Sequence, residues 1–122
     1  MSCFSAKIVA LPACPHQIHL VDSGLNEAVD YYVKFTDKFG NMFTTLIEAP
    51  FASNDIVIPI EFNADIPEGL FSPYSGLVKM EIYDSTFQTI VPFNVTGTLE
   101  NEVLLDFQNF EGALPPTIIH GA

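Results

Sequence analysis

Cys14, His16 and His19 stand in a C-x-H-x-x-H spacing, and thiolate plus imidazole is a donor set that binds zinc. A tetrahedral site needs four ligands, and the only other histidine is His120. His16 and His19 fall in a short stretch that reads as a strand, where residues three apart face opposite sides. The three histidines therefore read as loop or interface residues, with no metal and no cofactor. A hydrolase would need a positioned nucleophile beside a histidine base. The chain has no G-x-S-x-G elbow, no glycine-rich phosphate loop and no H-E-x-x-H. The acidic pairs Glu100 with Glu102 and Asp65 with Glu68 could serve a glycosidase only by flanking a cleft, and among 15 Asp+Glu such pairs arise by chance. Asp22-Ser23-Gly24-Leu25-Asn26-Glu27 supplies oxygens but lacks the ligand order of a calcium loop, so it reads as a turn. No catalytic residue is assigned, and the chain reads as non-enzymatic. The aromatics offer a different chemistry. There are 11 Phe, 4 Tyr and no Trp. Tyr31 and Tyr32 are adjacent, so on a strand one of them turns away from the core. With Tyr74 they are candidate rings for a carbohydrate platform, although stacking on sugars most often recruits the larger indole.

The elements that position these residues must come from one domain, because 122 residues leave little room for a second core. Hydrophobic residues make up 48% and charged residues only 16%, which excludes a disordered acidic tail. The four cations are Lys7, Lys34, Lys38 and Lys79, there is no arginine, and the formal net charge is −11. Nucleic-acid binding rests on neutralised phosphates and arginine forks, so it is excluded as a function class. Anionic lipid surfaces would repel such a chain, and no apolar run approaches the ~20 residues of a membrane-spanning helix. The first dozen residues lack a basic region, and Lys7 interrupts the place of a signal-peptide core. The expectation is a protein made in the cytoplasm and not secreted by a signal peptide, with Cys3 and Cys14 reduced.

Strand signals dominate. Ala6 to Leu11 and Gln17 to Val21 read as short strands separated by Pro12 and Pro15. Asp30 to Thr36 places Tyr31, Val33 and Phe35 on one face, and Asp37-Lys38-Phe39-Gly40-Asn41 turns into Met42 to Glu48, where Phe43, Thr45 and Ile47 alternate against Met42, Thr44 and Leu46. Asp55 to Phe62 aligns Ile56, Ile58, Ile60 and Phe62 on one face, with Pro59 opposite, which marks an edge strand. After an irregular connection over Asn63 to Gly76, a second hairpin is expected between Leu77 to Tyr83 and Phe87 to Phe93, with Val78, Met80 and Ile82 inward. Glu102 to Phe107 closes the set with Val103, Leu105 and Phe107 inward. About seven strands at this spacing predict an all-β chain: one antiparallel immunoglobulin-like β-sandwich over residues 1–107. Residues 108–122 carry one charge and the pair Pro115-Pro116, so an extended arm is expected there. Its apolar residues Phe110, Leu114, Ile118 and Ile119 are candidates for lying on a neighbouring molecule.

The stretch from Tyr31 through Lys34, Asp37, Gly40 and Asn41 to Phe43, followed by Pro67-Glu68-Gly69-Leu70-Phe71-Ser72-Pro73-Tyr74-Ser75-Gly76 and Met80-Glu81-Ile82-Tyr83, resembles small β-sandwich proteins of tailed phages and prophages of Bacteroidetes, the crAss-like group among them. The resemblance covers about half the chain, and its motifs are turn and packing motifs. It implies a virion-associated structural protein of the head or tail surface, whose partners are other virion proteins and copies of itself. It carries over no catalytic or ligand residue. A carbohydrate-binding or adhesive module on the particle is the alternative.

Overall fold

The computed structural model describes residues 16–60, 70, 76–106 and 116–122. The expected strand over Ala6 to Leu11, Cys3, Cys14, Phe62, Tyr74, Phe107, Phe110 and Leu114 lie outside them. The described chain is all β, with no helix: β1 His16–Val21, β2 Tyr31–Thr36, β3 Met42–Ile47, β4 Asp55–Ile60, β5 Leu77–Tyr83, β6 Phe93–Val95, β7 Thr98–Glu100, β8 Glu102–Asp106 and β9 Thr117–His120. One sheet has the order β4-β1-β9, a second the order β3-β2-β5-β8, and β6 with β7 forms a separate two-stranded ribbon.

Alternation builds both larger sheets. Ile18 and Leu20 of β1, and Ile56, Ile58 and Ile60 of β4, are buried, and so are Tyr31, Val33 and Phe35 of β2 and Val78, Met80 and Ile82 of β5. Leu105 of β8, Ile119 of β9 and Phe93 of β6 join them in one apolar cluster, with Val103 half-buried against it. Each such side chain contributes about 1.5–3 kcal/mol when fully removed from water. β4 is an edge strand, and its Pro59 faces solvent opposite Gln17. That is where a residue with no N–H costs the ladder least.

The β2–β3 turn is fixed by one buried carboxylate. Asp37 Oδ1 accepts hydrogen bonds from the backbone N–H groups of Phe39 and Asn41, both at 2.9 Å, while Oδ2 accepts one from the Asn41 side chain. Gly40 supplies the left-handed residue that the turn requires, at φ 85°.

Two expectations are corrected. Phe87 to Phe93 is not the hairpin partner of β5, because β5 already uses both edges, pairing antiparallel with β2 and with β8. Beyond a single bridge between Tyr83 and Ile90, the chain leaves, and Phe93 pairs instead with Glu100. Nor do the last residues form an arm outside the core. Thr117–His120 runs parallel to β1, with Ile119 opposite Leu20, so this sheet is mixed rather than purely antiparallel. Ile119 is only 5% exposed, whereas its neighbour Ile118 faces out at 51%. His16 Nε2 and Thr117 Oγ1 share a 2.9 Å hydrogen bond that ties the starts of the two strands together. At the far end Gly121 donates to the Val21 carbonyl, and its own carbonyl accepts from Gly97.

Gly121 is so close to β1 that a Cβ there would fall 2.1 Å from the Asp22 carbonyl oxygen. Gly121→Ala must therefore push β9 away from β1. It is expected to lower stability by about 1–3 kcal/mol, as overpacking does, in urea denaturation. An unchanged midpoint would return the C-terminal residues to the status of a free arm.

Burial in the core pushes the His16 imidazole down to about 4, so it is neutral in the fold at pH 7. The unfolded chain protonates this ring below its ordinary 6.5, so its contribution to stability is complete above that pH. It is lost as pH falls towards about 4, in total on the order of 3 kcal/mol. His16→Gln should flatten the stability profile between pH 7 and pH 4.5 relative to the unsubstituted chain, measured as urea midpoints. Parallel profiles would mean that the ring is not the source of the slope.

Candidate binding face

The outer face of the β3-β2-β5-β8 sheet is set by register. Leu46, Tyr32 and Tyr83 share one row across β3, β2 and β5, and Thr44, Lys34, Glu81 and Glu102 share the next. Met42, Thr36, Lys79 and Leu104 form the third, with Leu77 and Asp106 beyond it. Because the inner positions of these strands are committed to the core, these outward residues are free to differ from an ordinary charged surface, and they do.

At the first end the rings gather. The loop after β5 is held by Asp84, whose Oδ1 accepts from the Thr86 hydroxyl at 2.8 Å and from the Gln88 and Thr89 N–H groups at 3.1 and 3.3 Å. The Gln88 N–H and the Thr86 hydroxyl, in that order, hold the Asp84 carboxyl below the usual carboxylate range. Inside this loop Phe87 adopts φ 58°, a left-handed conformation unusual for a bulky residue. Its ring lies stacked on Tyr83, with centroids 4.9 Å apart, and edge-on to Tyr32 at 5.3 Å. Lys34 places Nζ 5.9 Å from the Tyr83 ring centre, within cation–π range. Phe87 remains 39% exposed.

At the opposite end Met42, Leu77 and Leu104 are each more than half exposed, at 53%, 51% and 54%. Phe39 extends this end in the β2–β3 turn, with Lys38 Nζ 5.1 Å from its ring centre. Between the two ends Glu81 lies almost buried on the outer side of β5 and pairs with Lys79 at 3.7 Å. The described lysines, Lys34, Lys38 and Lys79, all stand on or beside this face.

The residues singled out from sequence are distributed otherwise than expected. Tyr31 is not a platform residue. It packs inward, with its hydroxyl accepting from Asn26 N–H at 3.0 Å and its ring edge-on to Phe51. Tyr32 is the outward member of the pair, and its companions are Tyr83 and Phe87, which sequence reasoning missed. Tyr31 shares the parity of the inward Val33 and Phe35, so alternation alone distinguished it from Tyr32. Tyr83 and Phe87 needed the β2–β5 register, which no local pattern carries. Of the arm residues, Ile119 belongs to the core and Ile118 faces solvent on the other sheet.

Among the described residues no group of three His, Cys, Asp or Glu side chains comes together. His16 points into the core, whereas His19 points outward and contacts Asp55 at 3.1 Å and Gln17 at 3.2 Å. The loop from Asp22 to Glu27 spends its oxygens on its own fold, with Ser23 donating to the Ser53 carbonyl and Glu27 accepting from Ser53 N–H. Glu100 and Glu102 are exposed on β7 and β8. What this face presents is exposed apolar side chains at one end, clustered rings at the other, and lysines on or beside it. No family model, curated protein or solved structure matches this chain.

Proposed function

We propose that this chain is a non-enzymatic structural subunit of a phage particle, an auxiliary or decoration protein of the head or tail surface. It is made in the host cytoplasm and docks on other virion proteins or on copies of itself. The observation that carries the docking role is the trio Met42, Leu77 and Leu104, more than half exposed at one end of a single sheet face. On a chain of formal charge −11, an apolar area flanked by lysines is where contact with another subunit meets the least repulsion. An immunoglobulin-like sandwich belongs to the same proposal. The three-stranded and four-stranded sheets that share one core support it, while the parallel pairing of β1 with β9 is a departure from a purely antiparallel arrangement. The phage setting rests on the resemblance of the β2–β3 hairpin and the residues leading into β5.

A second reading, a carbohydrate-binding or adhesive module on the particle surface, is favoured by the Tyr32, Tyr83 and Phe87 cluster at the other end of the face.

The docking role is tested by Leu77→Asp combined with Leu104→Asp. Exposed positions tolerate such changes within about 0.5 kcal/mol each, so the thermal midpoint should stay close to that of the unsubstituted chain. Two new charges on the apolar end should nevertheless remove the protein from purified particles, as read by quantitative mass spectrometry. Incorporation at the unsubstituted level would overturn the docking role.

A further inference from the structure

We infer that the Tyr32, Tyr83 and Phe87 cluster is a binding site for a neutral oligosaccharide, with Phe87 as the stacking ring and Lys34 and the tyrosine hydroxyls as the hydrogen-bonding groups. This inference deepens the second reading above and rests on it.

The ring that would meet a sugar is held in place before the sugar arrives. Phe87 sits in a left-handed backbone conformation that costs a non-glycine residue free energy, and the loop maintains it through three hydrogen bonds to one carboxylate oxygen of Asp84. Tyr83 backs the ring in a near-parallel stack at 17° between planes, and Tyr32 braces it edge-on. A ring that is fixed yet 39% exposed loses little rotamer freedom on binding. Its face carries the negative side of the aromatic quadrupole, and the C–H face of a pyranose presents the matching weakly positive hydrogens.

The rings that hold Phe87 bring polar groups with them. Among the described residues no hydrogen bond involves the Tyr32 or Tyr83 hydroxyl, and each can donate one bond and accept others. The Lys34 ammonium has three donors, and it shares a row with Glu81 while lying over Tyr83. Sugar hydroxyls are donors and acceptors together, so a mixed set of this kind suits them better than it suits a hydrocarbon. The whole-chain charge of −11 selects within the class. An anionic glycan would be repelled on approach, and one lysine beside Glu81 offsets only part of that field. A neutral glycan feels no such repulsion.

The site is distinct from the docking end of the same face. The row containing Lys34, Glu81 and Glu102 lies between the rings and Leu104, so substitutions at one end leave the other intact.

The test uses the full chain and tyrosine emission, which is readable because the sequence contains no tryptophan. It is titrated with maltoheptaose, cellohexaose, xylohexaose and mannopentaose, and with oligogalacturonate as the anionic control, and calorimetry serves as a second readout. Saturable binding to at least one neutral member is expected, with no binding of oligogalacturonate. Phe87→Gly should weaken it by about tenfold or more, since glycine takes the loop conformation without strain while removing the ring. Lys34→Ala is the second variant and should weaken it by a smaller factor with the loop untouched. Failure of every neutral member to bind at millimolar concentration overturns both this site and the carbohydrate reading. Binding that survives Phe87→Gly keeps a carbohydrate role but overturns this site. Preference for oligogalacturonate overturns the neutral class. Loss of Phe87→Gly from particles without any glycan binding would assign the rings to protein docking instead.

Discussion

Every second side chain of two sheets is committed to one shared core, and the rest of the molecule follows from that commitment. Phe35, Val78, Met80, Ile82, Ile18 and Ile60 are fully enclosed, and strands from both sheets supply them. A slip of one residue in any of these strands would carry its apolar set to solvent, so the register is strongly determined. The outer face then becomes a surface whose composition is not needed for folding. It is here that Met42, Leu77 and Leu104 at one end, and Tyr32, Tyr83 and Phe87 at the other, can serve a partner without weakening the core.

Charge works together with that geometry. A surplus of 11 negative charges on a small domain makes contact between copies repulsive, and salt screens that repulsion over about 10 Å at 0.1 M. The described lysines stand on or beside the β3-β2-β5-β8 face, where Lys79 neutralises the nearly buried Glu81 and Lys34 lies over a tyrosine ring. On the proposed docking role, this is the face where a second acidic surface would meet the least repulsion. The edges add a second constraint, because β4 meets solvent with Pro59 and cannot offer a complete ladder to another strand.

Where the physics is local, the sequence was informative. The alternation of Tyr31, Val33 and Phe35 against Tyr32 and Lys34, the Asp37 to Asn41 turn, and the edge character of the strand with Pro59 all depend on neighbours a few positions away. Val33, Phe35, Ile56, Ile58, Ile60, Val78, Met80, Ile82 and Leu105, which the alternation points inward, are buried, Val103 is half-buried, and Phe62 and Phe107 lie outside the described residues. Where partners are distant, the sequence was silent or misleading. β9 has four residues after a diproline, and its partner is so remote that the His16–Thr117 bond spans 101 positions, so it reads as a tail. Phe87 to Phe93 looks like a returning strand because nothing local reveals that β2 and β8 have taken both edges of β5. The ring cluster was half legible: Tyr32 could be read from parity, but Tyr83 and Phe87 join it only through the β2–β5 register and a left-handed loop residue.

The proposed docking of the β3-β2-β5-β8 face, rather than the opposite sheet, on a phage particle is tested by hydroxyl-radical footprinting that compares the isolated protein with purified particles. Side-chain oxidation at Met42, Leu77 and Leu104 should fall strongly on assembly, while Val57 and Ile118, exposed on the β4-β1-β9 sheet at 44% and 51%, keep the rates of the free chain. Protection of Val57 and Ile118 with Met42, Leu77 and Leu104 still reactive would contradict the assignment and move the interface to the opposite sheet.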